Sequence, residues 1–244
     1  MSIRRIGRWF GIFLLITAPL LSHAGDFSVS PIHVHLSQQH PIAAEILTNL
    51  QDTPLTVQAT AEDWSQKQGK NITPATDDLI ISPPLFKIPP HGQQIIRVGL
   101  RTPFPIQKEG TYRLILHEVP PPFNPKHTAV QVVLKMILPV FVAPKAAVPQ
   151  AHLDLSAQAT AHAIALKISN TGNQHAEITG IALFSDHHPV ARKNLLLYVL
   201  PASHMDIPLP IQHGDTWIGK SLSVQIITPQ REKPIDASVV VTAP

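Results

Sequence analysis

Apolar runs recur along the chain at short spacing, separated by clusters of proline, glycine, asparagine and aspartate. No window of useful length carries a 3.6-residue repeat, so the pattern predicts strands and not helices. Before position 143 the runs lie at Phe27–Leu36, Ala43–Asn49, Leu55–Trp64, Leu85–Ile88, Gln93–Leu100, Thr111–Val119 and Ala129–Val142. Turn formers separate them, among them Gln51-Asp52-Thr53-Pro54, Pro89-Pro90-His91-Gly92 and Pro120-Pro121-Pro122. Weaker runs follow at His152–Ser156, Ala161–Asn170, Glu177–Phe184, Leu195–Leu200, Leu222–Thr228 and Ala237–Thr242. The expected architecture is all-β: two consecutive immunoglobulin-like sandwiches.

The stretch Ala143-Pro144-Lys145-Ala146-Ala147-Val148-Pro149 has small side chains and a proline near each end. It reads as a short, semi-rigid linker. The expected division is residues 25–143, a linker at 144–149, and residues 150–244.

The run Val130-Gln131-Val132-Val133-Leu134-Lys135-Met136-Ile137-Leu138-Pro139-Val140-Phe141-Val142 is the most apolar long strand after the N-terminal segment. It is also the last strand of its domain. Val130, Val132, Leu134 and Met136 share one face by the two-residue period; Val133, Lys135, Ile137 and Pro139 share the other. Two readings fit that pattern. One is a central strand buried on both faces. The other is an edge strand held out for a partner to pair with, since the last strand of such a sandwich lies at or near an edge.

Composition supports the strand reading. Of 244 residues, 25 are proline and 14% are charged. Proline at that density cannot populate helix interiors, which excludes long-helix and βαβ architectures. The 44% of apolar residues is enough to build cores, which excludes a disordered chain. There is no cysteine, hence no disulfide, thiolate nucleophile or cysteine-ligated metal.

The charge reading changes once the N-terminus is considered. Arg4, Arg5 and Arg8 precede the apolar run Trp9–Leu21, and Ser22-His23-Ala24 follows it. This order describes a secretory signal peptide over residues 1–24, and the run is too short to span a bilayer. Removing it leaves 220 residues carrying sixteen basic and sixteen acidic side chains. The exported chain is near neutral, without the basic excess of a nucleic-acid binder. Export without stable membrane insertion is the expectation.

Three motifs invite chemistry. Gly214-Asp215-Thr216-Trp217-Ile218-Gly219-Lys220-Ser221 spells the P-loop pattern. A P-loop needs a helix after it, whereas Leu222–Thr228 alternates like a strand and stops at Pro229, so a turn is expected. Fourteen histidines include His33 and His35 on one strand face and the adjacent His187-His188. No clustered His/Asp/Glu set accompanies them, so no metal site is assigned. No G-x-S-x-G elbow occurs either. The chain is read as a non-enzyme with no cofactor.

Other segments carry a resemblance. Ser82-Pro83-Pro84-Leu85-Phe86-Lys87-Ile88-Pro89-Pro90 runs into Gln94-Ile95-Ile96-Arg97-Val98. Glu109-Gly110-Thr111-Tyr112-Arg113-Leu114, Glu118-Val119-Pro120-Pro121 and Leu138-Pro139-Val140-Phe141-Val142-Ala143-Pro144 follow. Asn170-Thr171-Gly172-Asn173 and Tyr198-Val199-Leu200-Pro201 occupy the second half. Together they resemble the periplasmic pilus chaperones of the chaperone–usher pathway over nearly the whole exported chain, and the Leu-Pro-Val-Phe-Val and Tyr-Arg-Leu strings look like the archaic branch. The resemblance implies two immunoglobulin-like domains set at an angle. It implies donor-strand complementation, in which Val130, Val132, Leu134 and Met136 fill the groove of a pilus subunit before delivery to an outer-membrane usher. The best-known branch holds the subunit's C-terminal carboxylate with an arginine and a lysine. His33 and Pro139 stand at those positions here. Arg113 and then Lys135 are the candidate anchors instead, because a carboxylate needs a charge-assisted partner. The alternative reading is an exported two-domain adhesin or structural protein.

Overall fold

The computed structural model describes residues 27–101, 103–105, 107–120, 132–145, 148–212 and 214–244. The signal-peptide segment 1–24, Val130, and Ala146-Ala147 of the linker lie outside the described residues.

The first half contains β1 (Phe27–Ser30), β2 (Val34–Leu36), β3 (Ile42–Asn49), β4 (Leu55–Asp63), β5 (Ser65–Lys67), β6 (Lys70–Ile72), β7 (Leu79–Ser82), β8 (Leu85–Ile88), β9 (Gln93–Leu100), β10 (Gly110–Glu118) and β11 (Lys135–Val142). One sheet has the order β1-β3-β9-β7, a second β2-β11-β10-β4-β8, and β5-β6 is a small hairpin. The two large sheets enclose a core that includes Val34, Leu36, Leu47, Val57, Ile88, Ile96, Val98, Leu114, Leu116, Leu138, Val140 and Val142. Alternation along each strand sends these inward.

The run at 27–36, expected as one strand, divides in two. β1 pairs with β3 in the first sheet, and β2 pairs in parallel with β11 in the second. Pro31 stands at the switch, where the chain leaves one sheet for the other. Gln68 and Gly69, at φ of 50° and 70°, turn the chain between β5 and β6 and close that hairpin.

The second half contains β12 (Leu153–Thr160), β13 (Ala163–Asn170), β14 (Ala176–Ser185), β15 (His188–Val199), β16 (Ser203–Pro210), β17 (Ser221–Ile227) and β18 (Ile235–Thr242). Their order is β15-β14-β17-β18-β12-β13-β16. The β18–β12 junction is a short parallel contact at Ala157↔Val241 and Gln158↔Thr242. The inward faces of the strands on both sides of that junction form one core around Ile164, Leu166, Ile178, Leu183, Leu209, Val224 and Val241. Two all-β domains with separate cores therefore follow one another, as the turn spacing implies.

The P-loop string folds as a 3₁₀ turn, Gly214–Trp217, that runs into β17. Lys220 places its ammonium 4.8 Å from the Trp217 ring centroid, a cation–π contact. A strand stands where a phosphate-binding loop requires a helix. Among the described residues no group of three or more His, Asp or Glu is placed to hold a metal, and no helix is long and apolar enough to cross a membrane.

Candidate functional site

β11 is paired on one side with β10 along its whole length, from His117↔Lys135 to Gly110↔Val142. On the other side β2 covers only Val140–Val142. Among the described residues, no strand pairs with Lys135–Pro139 on that side. Among the described residues that side therefore offers a row of backbone donors and acceptors, which is the requirement for strand addition. Pro139 is tolerated because β11 is an edge at that point.

The even-numbered face of β11 is the interior face. Leu138, Val140 and Val142 are buried, and Leu134 and Met136 pack partly buried against the same core. Before the strand begins, Leu134 is tied to Glu118: the Glu118 N–H donates to the Leu134 carbonyl at 3.0 Å, and the Leu134 N–H donates to Glu118 Oε2 at 3.1 Å. Val132 lies beyond this clasp and is 70% exposed. The apolar face thus starts inside the sandwich and runs out of it toward Val132. The reading of a strand buried on both faces does not hold, since Lys135 and Ile137 are exposed. Among the described residues the side of Lys135–Pro139 away from β10 is an edge, and the apolar face is covered in part by the domain's own core.

The second element is a cavity of about 250 Å³ between the domains, lined by Trp64, Asn71, Arg113, Ile137, Pro139, Leu196, Leu197 and Tyr198. Arg113 stands on the outward face of β10, between Glu62 of β4 and Pro139 of β11 in register. Its guanidinium carbon lies 4.5 Å from the Trp64 ring centroid. Partial burial lowers its pKa from the ordinary arginine value, opposed by the nearby Glu62 charge. A guanidinium so placed stays protonated. Among the described residues it is in no ion pair. Lys135 lies on the same strand face as Pro139 but is exposed and does not line this cavity. The geometry brings Arg113 and Pro139 together and leaves Lys135 outside.

The aromatic wall of the cavity comes from both domains. Trp64, Phe141 and Leu200 form a separate buried cluster, with Tyr198 packed against it. His33, at the position expected to hold a basic anchor, is engaged with this wall: its Nε2 and the Tyr198 hydroxyl are hydrogen-bonded at 2.8 Å. Burial and the Glu177 charge push the Tyr198 phenol up to about 12, so it is a neutral hydrogen-bonding group at ordinary pH. Burial also lowers the pKa of His35, and the neighbouring His175 and His33 lower it further. The contribution of Tyr198 is not visible in strand patterning, because its partners His33 and Gln66 lie more than a hundred residues away along the chain.

A second contact between domains lies behind the strand. Glu109 Oε2 accepts hydrogen bonds from the backbone N–H and the Nδ1 of His175, both at 2.8 Å, with both side chains buried. The Glu109 N–H donates in turn to the Asn173 carbonyl at 2.8 Å.

Comparison with known proteins agrees with this architecture. The profile of the family described as "Pili and flagellar-assembly chaperone, PapD N-terminal domain" matches residues 26–148. The structure is similar to a chain of the CsuC–CsuE chaperone–tip adhesion subunit pre-assembly complex from the archaic chaperone-usher Csu pili of Acinetobacter baumannii. That match has a TM-score of 0.68 and 20% identity, covering 89% of this chain and 99% of that one. It is also similar to a chain of the Salmonella enterica complex of SafA pilin with the SafB chaperone, with a TM-score of 0.62 and 18% identity over 90% and 98% of the two chains. The Pseudomonas aeruginosa CupB2 chaperone matches with a TM-score of 0.55 and 15% identity over 88% and 100%. No curated protein sequence matches. At these identities the structural likenesses speak for the fold.

Proposed function

Since this chain belongs to the pili and flagellar-assembly chaperone family, we propose that it acts in the periplasm as a strand donor to pilus subunits and passes them to an outer-membrane usher. The family match favours a chaperone over the adhesin or structural-protein alternative. Solved relatives are chaperones in complex with a tip adhesion subunit or a pilin. Export through removal of residues 1–24 places the chain in the compartment this work requires.

The observation that carries the reading is the open side of β11 at Lys135–Pro139, next to an apolar face that continues out of the core. A subunit lacking its last strand pairs its backbone with that edge and covers Val130, Val132, Leu134 and Met136. Burial of four such side chains is worth roughly 6–12 kcal/mol gross, at about 1.5–3 each. Met136 and Leu134 are already partly covered and contribute less. Association entropy offsets much of the gain, so the backbone ladder is needed too.

Arg113 anchors the subunit's C-terminal carboxylate in the cleft. It offers a fixed fork of donors over the Trp64 ring, in a cavity walled by Pro139 and Tyr198. Lys135 is the secondary candidate, a rim cation. Periplasmic co-expression with a pilus subunit, followed by affinity purification of the chaperone, tests the reading. A one-to-one complex is expected. Chaperone recovered alone while the subunit is degraded counts against it.

A further inference from the structure

We infer that Gln66 is a positioning residue for the carboxylate pocket, acting through Tyr198 and Asn71. The inference rests on the strand-donor reading, in which Arg113 receives a C-terminal carboxylate. Gln66 lies on β5 and is buried, and it does not itself line the cavity. Its Nε2 donates to the Tyr198 carbonyl at 2.8 Å, and its Oε1 accepts the Leu200 N–H at 2.9 Å. The carbonyl of one residue and the N–H two residues on point to the same side of an extended chain. The Gln66 amide therefore stands where a neighbouring strand's peptide unit would stand, at the edge strand β15 of the second domain.

The remaining Nε2 hydrogen donates to Asn71 Oδ1 at 3.1 Å, and the same oxygen accepts from Trp64 Nε1 at 2.9 Å. Trp64 in turn carries the Arg113 guanidinium. One side chain thus fixes the second-domain wall, through Tyr198, and the aromatic platform of the cation, through Asn71. Glutamine is suited to this task. Glutamate has no N–H for Tyr198 and Asn71, asparagine is one methylene short, and methionine leaves the buried backbone groups unpaired.

The test uses the full chain and a synthetic ten-residue peptide of alternating valine and threonine ending in tyrosine, as free acid and as C-terminal amide. Binding of both forms is measured by fluorescence anisotropy. The unsubstituted chain should bind the acid at least tenfold more tightly than the amide. A chain that does not discriminate contradicts the carboxylate reading itself, and the inference with it. Gln66→Met should narrow the acid-to-amide preference at least fivefold, with the amide affinity changed less than twofold. Gln66→Asn, which keeps a polar amide but falls one methylene short of Tyr198 and Leu200, should narrow it in the same direction and guards against misfolding of the first variant. If the unsubstituted chain discriminates while both variants keep that preference, or lose both peptides equally, Gln66 has no positioning role.

Discussion

The ring of Phe141 lies flat on the imidazole of His175, with centroids 3.6 Å apart and planes 10° from parallel. Phe141 belongs to β11 and His175 to the second domain, so the strand whose edge is open at Lys135–Pro139 is clamped to the neighbouring domain at its other end. The same imidazole is held by Glu109. The open edge and the domain contact therefore lie on one strand.

This clamp gives the first prediction. Glu109→Ala leaves the backbone N–H and the imidazole of His175 without their acceptor inside the interface. Leaving a buried donor without its acceptor costs about 1–3 kcal/mol for each group. Thermal unfolding should show a lowered midpoint or two separated transitions. Glu232→Ala, at an exposed position, should change stability by no more than about 0.5 kcal/mol. Equal behaviour of the two variants would contradict the clamp.

Arg113→Ala should weaken subunit retention about 10–100-fold, since a hydrogen bond to a charged group contributes about 1.5–3 kcal/mol. The fold should persist, because the side chain points away from the core. Lys135→Ala should have a smaller effect. Subunit dissociation rates from the purified complexes distinguish the two candidates.

Glu45 predicts an unusual pH dependence. Its side chain is fully buried in the first sandwich, and neither carboxylate oxygen has a partner among the described residues. Burial pushes its pKa up to about 7 from 4.5. The folded state therefore holds this proton more tightly than the unfolded chain. The contribution to stability is fully present below about pH 4.5 and is lost as the pH rises toward 7. Glu45→Met should remove that dependence and stabilise the protein at pH 8 by a few kcal/mol, at about 1.4 kcal/mol per tenfold difference in proton affinity. The difference between the two proteins is the quantity to follow in chemical denaturation, because His35 titrates in the opposite sense. A difference that stays flat from pH 4 to 8 would show Glu45 to be otherwise satisfied.

Mature protein from the periplasm should begin at Gly25, since Ser22-His23-Ala24 is the small-x-small site after the apolar run. Intact-mass measurement checks it, and a retained Met1 would contradict export by cleavage.

Much of the fold was legible because strand alternation and turn residues are local signals. The Asn170-Thr171-Gly172-Asn173 turn is one case: the buried Asn170 amide donates to the Gln174 and Val199 carbonyls and its oxygen accepts from Gly172 and His152. Where local signals conflict with context, the reading failed. Ser203–Pro210 carries Pro208 and Pro210 and did not read as a strand, yet β16 is an edge strand, where a missing N–H is tolerated. The β14–β15 hairpin turns at Asp186 and His187, both at positive φ without glycine, so its turn gave little signal. In the cleft, alternation puts Arg113 on the outward face of β10, and the family resemblance made it a candidate anchor. Gln66 and Tyr198 were not legible as cleft residues, because they meet only through contacts more than a hundred residues apart in sequence.

In the proposed strand donation, the interior face of β11, prolonged to Val132, is the face lent to the subunit. By the two-residue period Val132 and Val133 fall on opposite faces of an extended strand, and both are exposed in the free chain. An arginine at either position should leave the free protein's melting unchanged. Only Val132→Arg should place an unpaired cation in the apolar groove, at a cost of several kcal/mol. Co-purification of a subunit with each variant is the decisive measurement. Val133→Arg should recover a one-to-one complex, while Val132→Arg, folded and in normal yield, should recover none. Subunit retained by Val132→Arg, or lost equally from both, would contradict that assignment of the face.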